Sequence, residues 1–199
     1  MFLFGSAFTA LSKIDLLIMM LSELLIIPTA TLLSIKFFGN DESVRKDEQF
    51  HVLALIPRIA ILGIIYMTLY ILFGYFVLWQ FEEARIFYEY LGNTESFTFI
   101  GSLMIIPPFT YFFQFIRGIM FSSFLIPLLF MLHGKGRKIF ITAVWLIYLT
   151  TTVPLIIPNP LFPDIVRWAH LIEMVSSMSL FGIITGLILY IPAKRKVGE

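Results

Sequence analysis

Four ionisable side chains stand inside otherwise apolar stretches of this chain: Glu23, Arg117, His170 and Glu173. Charged groups are rare in such stretches because burying one unpaired is expensive, so they normally turn inward and match one another. Arg167, His170, Glu173 and Ser177 are spaced three, three and four apart, which places them on one stripe of a helix. Glu173 is the natural partner for Arg117, whose guanidinium fork can grip a carboxylate through two parallel hydrogen bonds. His170, one turn away, titrates near neutral pH and can hydrogen-bond the same pair. Glu23 supplies a second carboxylate, and Gln114, one turn before Arg117, adds a neutral donor and acceptor. One cation, two carboxylates and a switchable imidazole make a site for a small anionic or carboxylate ligand with proton linkage. The plainer use of the same residues is structural, a buried Arg–Glu pair that fixes the register of two helices.

Other chemistries have less behind them. His170 and Glu173 have the i, i+3 spacing of helical metal ligands, with Glu23 as a third, but the set holds one histidine and Arg117 repels a cation. No metal is expected. Ser176, Ser177 and Ser179 lie near His170, yet there is no Gly-x-Ser-x-Gly elbow and no His-Glu-x-x-His helix, so an intramembrane enzyme lacks a motif. Gly134-Lys135-Gly136 lacks the upstream glycine and the following Ser/Thr of a phosphate loop. With no cysteine, disulfides and thiol chemistry are excluded. A net charge of +1 offers nothing to a nucleic acid.

The elements that must position these residues follow from composition. Of 199 residues, 59% are hydrophobic and 14% charged, and the mean hydropathy is +0.92. Soluble domains run about 45–50% apolar and about 25% charged, so the expected class is an all-α integral membrane protein. A bilayer core needs roughly 20 apolar residues in a helix. The apolar runs predict a bundle of about five transmembrane helices, at 14–38, 57–81, 109–132, 139–157 and 165–191, in one domain covering 1–199. The first basic residue is Lys13, so residues 14–38 read as a retained first helix rather than a cleaved signal. Pro107-Pro108 should break the third run, leaving a short interfacial or re-entrant helix from Phe97 to Ile106.

Lys and Arg counted by loop set the orientation. Lys36, Arg45, Lys46, Arg58, Lys135, Arg137, Lys138, Lys194, Arg195 and Lys196 fall on one side; Lys13, Arg85 and Arg167 fall on the other, with Arg117 inside. The basic side is read as cytoplasmic, in a cell or inner membrane, with the amino terminus outside and the carboxyl terminus inside. A six-span arrangement would separate the two most basic segments or break the last hairpin. Under five spans Glu23, Arg117, His170 and Glu173 share a depth near the outer face. Gly182 and Gly186 form a GxxxG step nearly opposite the His170 stripe, expected to take a helix of this chain or of a partner membrane protein. The chain holds 22 Phe, 8 Tyr and 3 Trp, read as packing and lipid-facing mass with an interfacial belt and no cofactor box. Three functions fit: a binding or transport protein, a non-catalytic subunit of a larger membrane complex, and, with least behind it, an enzyme. Single cysteines at Lys135→Cys and Glu89→Cys should react with an impermeant thiol reagent from opposite sides of a sealed membrane; labelling from one side refutes the five-span reading.

Overall fold

The computed structural model describes residues 25–26, 28–33, 36, 52–87, 98–106, 108–132, 136–158 and 162–190. Regular structure among these residues is helical, with no strand. The helices are α1 (Ile56–Phe76), α2 (Glu82–Phe87), α3 (Phe99–Ile105), α4 (Pro108–Ser123), α5 (Ile126–Met131), α6 (Arg137–Thr150) and α7 (Asp164–Leu189). Four continuous stretches are long and apolar enough to cross a membrane: Ile56–Gln80, Pro108–Leu129, Arg137–Leu155 and Asp164–Leu189. The expected first helix, 14–38, lies mostly outside the described residues, and so does Glu23; the described residues within it are helical.

Prolines set the boundaries. Pro57 opens α1 in its first turn, where the missing N–H is not needed. α3 is capped by Thr98, whose hydroxyl accepts from the Gly101 amide, and it ends at Ile106, which is extended at φ −65°, ψ 122°. Residues before proline are pushed out of helical geometry, and α4 starts anew at Pro108. Pro107 has no N–H to give the carbonyl of Leu103, four residues back; the Tyr111 hydroxyl donates to that carbonyl instead, at 2.7 Å. The short helix anticipated from Phe97 to Ile106 is therefore separate. Gly136, at φ +96°, turns the basic hairpin into α6, a conformation that favours glycine.

Three helix pairings build the bundle. α6 runs antiparallel to α7, with Ile141 beside Gly186 and Trp145 and Tyr148 beside Gly182. α1 also runs antiparallel to α7: Arg58 donates to the Ile188 carbonyl at 3.3 Å near one end, and Tyr70 meets Glu173 and Met174 towards the other. α4 lies along α1 where Gly118 faces Gly63 and Tyr66. Leu62, Tyr66, Phe121, Leu125, Val144, Tyr148, Met178 and Phe181 form the shared core. Arg58 and the start of α6 thus share an end with the last turn of α7, while α2 packs on the first turns of α7 at the opposite end, where Phe87 meets Phe162.

The GxxxG face is accordingly filled from within. A Cβ on Gly182 would lie 3.0 Å from Trp145 Cα, and one on Gly186 would lie 2.9 Å from Ile141 Cα, so a second subunit at this face would have to displace α6. The sequence reading did not single out Gly118, which is tighter still: a Cβ there would stand 2.5 Å from Tyr66 Cβ. Overpacking of this kind costs about 1–3 kcal/mol. Gly118→Ala should lower the stability of the detergent-solubilised protein by that amount in an unfolding titration. Gly74→Ala, whose Cβ would meet Trp79 at an ordinary 3.5 Å, should be neutral or gain up to about 1 kcal/mol from helix propensity. Equal losses at both positions would show that the α1–α4 crossing is not close-packed in solution.

Candidate functional site

The buried face of α7 carries a file of polar side chains: Arg167, His170, Glu173, Ser177 and Thr185 are all buried. His170 and Glu173 form the inner pair, with Nδ1 of the imidazole 3.5 Å from Oε2 of the carboxylate and both side chains only 3% exposed. At that distance no hydrogen bond is formed between them, and Glu173 Oε2 accepts none. The i, i+3 spacing places the two on one face, so their separation is fixed by the helix itself.

Glu173 opens onto a void of about 20 Å³ bordered also by Tyr66, Tyr70, Ser177, Met178 and Phe181. That is room for about one water molecule. Ser177 directs its hydroxyl to the Met174 carbonyl at 3.4 Å. On the outer side His170 meets the edge of the Phe162 ring at 5.7 Å, and Phe162 in turn meets Phe87 of α2 at 5.7 Å.

Arg117 is buried on α4, one residue before the glycine that lets α1 approach. Its guanidinium carbon sits 5.3 Å from the Phe121 ring centre and 6.0 Å from that of Tyr66. Aromatic faces attract a cation through their quadrupole, more strongly where water is excluded. Tyr66 therefore borders both groups: the Arg117 guanidinium on one contact and the Glu173 void on another. It packs edge-on against Phe121 and Phe181 as well, at 5.6 and 5.1 Å. Arg117 and His170 each have interactions beyond these.

The expected direct pair of Arg117 with Glu173 is not among the ion pairs between described residues, which are Arg167–Asp164 and His170–Glu173. Arg167 belongs to the stripe by spacing, yet it turns to the end of the bundle. It donates to the carbonyls of Leu155 and Ile156 at 2.9 and 3.1 Å and to Asp164 at 2.9 Å, with Trp168 at 5.0 Å. Arg167 thereby ties the Leu155 and Ile156 carbonyls to the first turn of α7. Gln114 is buried as expected for an inward residue, with its Oε1 accepting no hydrogen bond. Glu23 lies outside the described residues. Among the described residues no three His, Asp or Glu side chains converge.

Two parts of the site were not singled out from sequence. Tyr66 reads as one more aromatic in an apolar run. Deeper in the bundle, the Tyr148 hydroxyl of α6 faces Ser122 of α4 and Thr185 of α7. Ser122 is committed to the Gly118 carbonyl at 2.8 Å, and neither Tyr148 nor Thr185 completes a hydrogen bond of strict geometry. No family model, curated protein or solved structure matches this chain.

Residues in contact couple by about 0.5–3 kcal/mol, and separated ones by less than about 0.5 kcal/mol. A double-mutant cycle on unfolding should therefore give strong coupling for His170→Phe with Glu173→Leu. The cycle of Arg117→Met with Glu173→Leu should be close to additive. The reverse order would mean that Arg117, not His170, is the working partner of Glu173.

Proposed function

We propose that this chain is a multi-pass membrane protein in which proton occupancy of the His170–Glu173 pair is coupled to binding of a small anionic or carboxylate ligand near Arg117. The membrane setting is supported by the four long apolar helices and by an exterior that leaves Ile64, Phe112, Leu146, Ile172 and Ile183 exposed. Isolated hydrophobic residues on a surface mean little, but an apolar exterior around a charged interior is the reverse of a soluble bundle. The five-span topology, with the basic end cytoplasmic, completes this reading. The two ends of the bundle support it: Arg58, Arg137 and Lys138 lie at one, and Glu82, Glu83 and Asp164 at the other.

One observation carries the reading. A buried carboxylate stands against an imidazole, on a helix whose neighbouring residues include the aromatic that also contacts a buried guanidinium. An anion added to a low-dielectric interior is costly unless a positive charge accompanies it, and His170 and Glu173 are the buried pair that can take up a proton there. Anion and proton should bind together. The 20 Å³ void is far below the roughly 300 Å³ of a small ligand pocket, so ligand entry requires α1 or α4 to move and this conformation is the closed one. The subunit reading loses one of the features that favoured it, the GxxxG face, since Gly182 and Gly186 are covered by α6.

Small carboxylates and inorganic phosphate should raise the melting temperature of the purified protein, more strongly at acidic than at alkaline pH. Linkage requires the sign: a ligand that binds with a proton binds better as pH falls through the titration. Arg117→Met should abolish the stabilisation at every pH. His170→Gln should keep a stabilisation but flatten its pH dependence. No stabilisation of the unaltered protein by any of these anions across that range would end this reading.

A further inference from the structure

We infer that water and protons reach the His170–Glu173 pair from the acidic end of the bundle, through a groove between α2 and the start of α7 that the Phe87–Phe162 ring pair separates from the pair itself. The inference deepens the proposed function by naming the route of the proton, and it rests on that reading only for its purpose, not for its geometry.

The groove has a volume of about 520 Å³ and is bordered by Glu83, Ile86 and Phe87 on one side and Asp164 and Val166 on the other. Its rim carries carboxylates, which raise the local concentration of cations and protons and disfavour anions. Val166 lies one helical turn before His170, and both are buried on α7. What intervenes is aromatic. Phe87 lines the groove and touches Phe162, and Phe162 presents itself to the His170 ring, each at 5.7 Å between centres. Beyond His170 comes Glu173, and beyond Glu173 the one-water void towards Tyr66 and Ser177. Groove, rings, imidazole, carboxylate and void lie in sequence from the surface inwards.

The charged and titratable groups around the pair fit a proton entry. On α2 they are Glu83 at the rim; on α7 itself, Asp164 and the Arg167 that it pairs with; on α1, Tyr66 and Tyr70; and on α4, Arg117 across the Tyr66 ring. Glu83 and Asp164 stand outside the rings, Asp164 paired with Arg167 and Glu83 sharing its helix with Glu82 and Arg85, while Arg117 stands inside. A proton needs no opening of the rings as wide as an anion does. The route therefore assigns this entrance to the proton and leaves the anion another way in.

The experiment uses diethyl pyrocarbonate, a small reagent for unprotonated imidazole, on the full chain in detergent, with peptide mass spectrometry to separate His170 from His51 and His133. His170 should react slowly in the unaltered protein. Phe162→Ala should speed it on the order of tenfold, equivalent to lowering the cost of opening by about 1.4 kcal/mol. Phe140→Ala, a buried ring at the opposite end, serves as the measure of general loosening. Equal acceleration by both overturns the gate. The chain has no cysteine, so Ile86→Cys in the Phe162→Ala background places one thiol at the groove rim; Ile86 is 67% exposed. A bulky maleimide there should return His170 to its slow rate. Reaction at the unlabelled rate overturns the route. Both results are independent of whether any anion stabilises the protein, so the failure of the route and the failure of the ligand reading are separable.

Discussion

The arrangement of this interior depends on one backbone approach, that of α1 and α4 at Gly63 and Gly118. Two helices carrying side chains at that crossing could not come close enough for a Cβ on Gly118 to meet Tyr66 at 2.5 Å. Because glycine stands there, Tyr66 lies over the α4 backbone, and the preceding residue, Arg117, is brought beside its ring. From that position Tyr66 reaches Phe181 and borders the Glu173 void on α7. Small residues at helix interfaces gain dispersion contacts where lipid offers no hydrophobic drive. Here the same close packing also decides which polar groups share a compartment.

Arg58, Arg117 and Arg167 show how a bundle of this kind deals with a charge that cannot lose its proton. Arg58 donates to a carbonyl in the last turn of α7, where the helix dipole is negative. Arg167 takes two loop carbonyls and a carboxylate. Arg117 is laid against two aromatic faces. The first two satisfy backbone carbonyls of a helix end and a loop, and their roles are architectural. The third lies deepest along its helix, and one of its rings, Tyr66, also borders the Glu173 void.

Much of this was legible in the sequence where a single local rule applied. Pro57 and Pro107-Pro108 mark helix boundaries because proline lacks an N–H, and the four long helices fall within a few residues of the apolar runs. His170, Glu173 and Ser177 share a face because 3.6-residue periodicity is a property of the helix alone. What could not be read was anything that needs two helices at a known rotation. Glu173 and Arg117 match in charge and in expected depth, but depth does not specify azimuth, and the carboxylate meets an imidazole on its own helix. Arg167 has the spacing of the stripe, and the loop carbonyls that claim it are twelve residues away in sequence. Tyr66 and the Tyr148–Ser122–Thr185 group carry no charge to draw notice in an apolar run; they become visible only when three helices converge on them.

Both members of the inner pair belong to α7, three residues apart. Their separation is therefore a property of one rigid rod and survives any tilt or rotation of that rod against its neighbours. What such a motion changes is the company the pair keeps: the rings on its outer side, the void and Tyr66 on its inner side. On the function proposed above, a proton held by the pair is cargo carried on a lever: its affinity follows where the lever stands, and a helix displacement of an ångström or two becomes a change of charge without any bond inside the pair being remade.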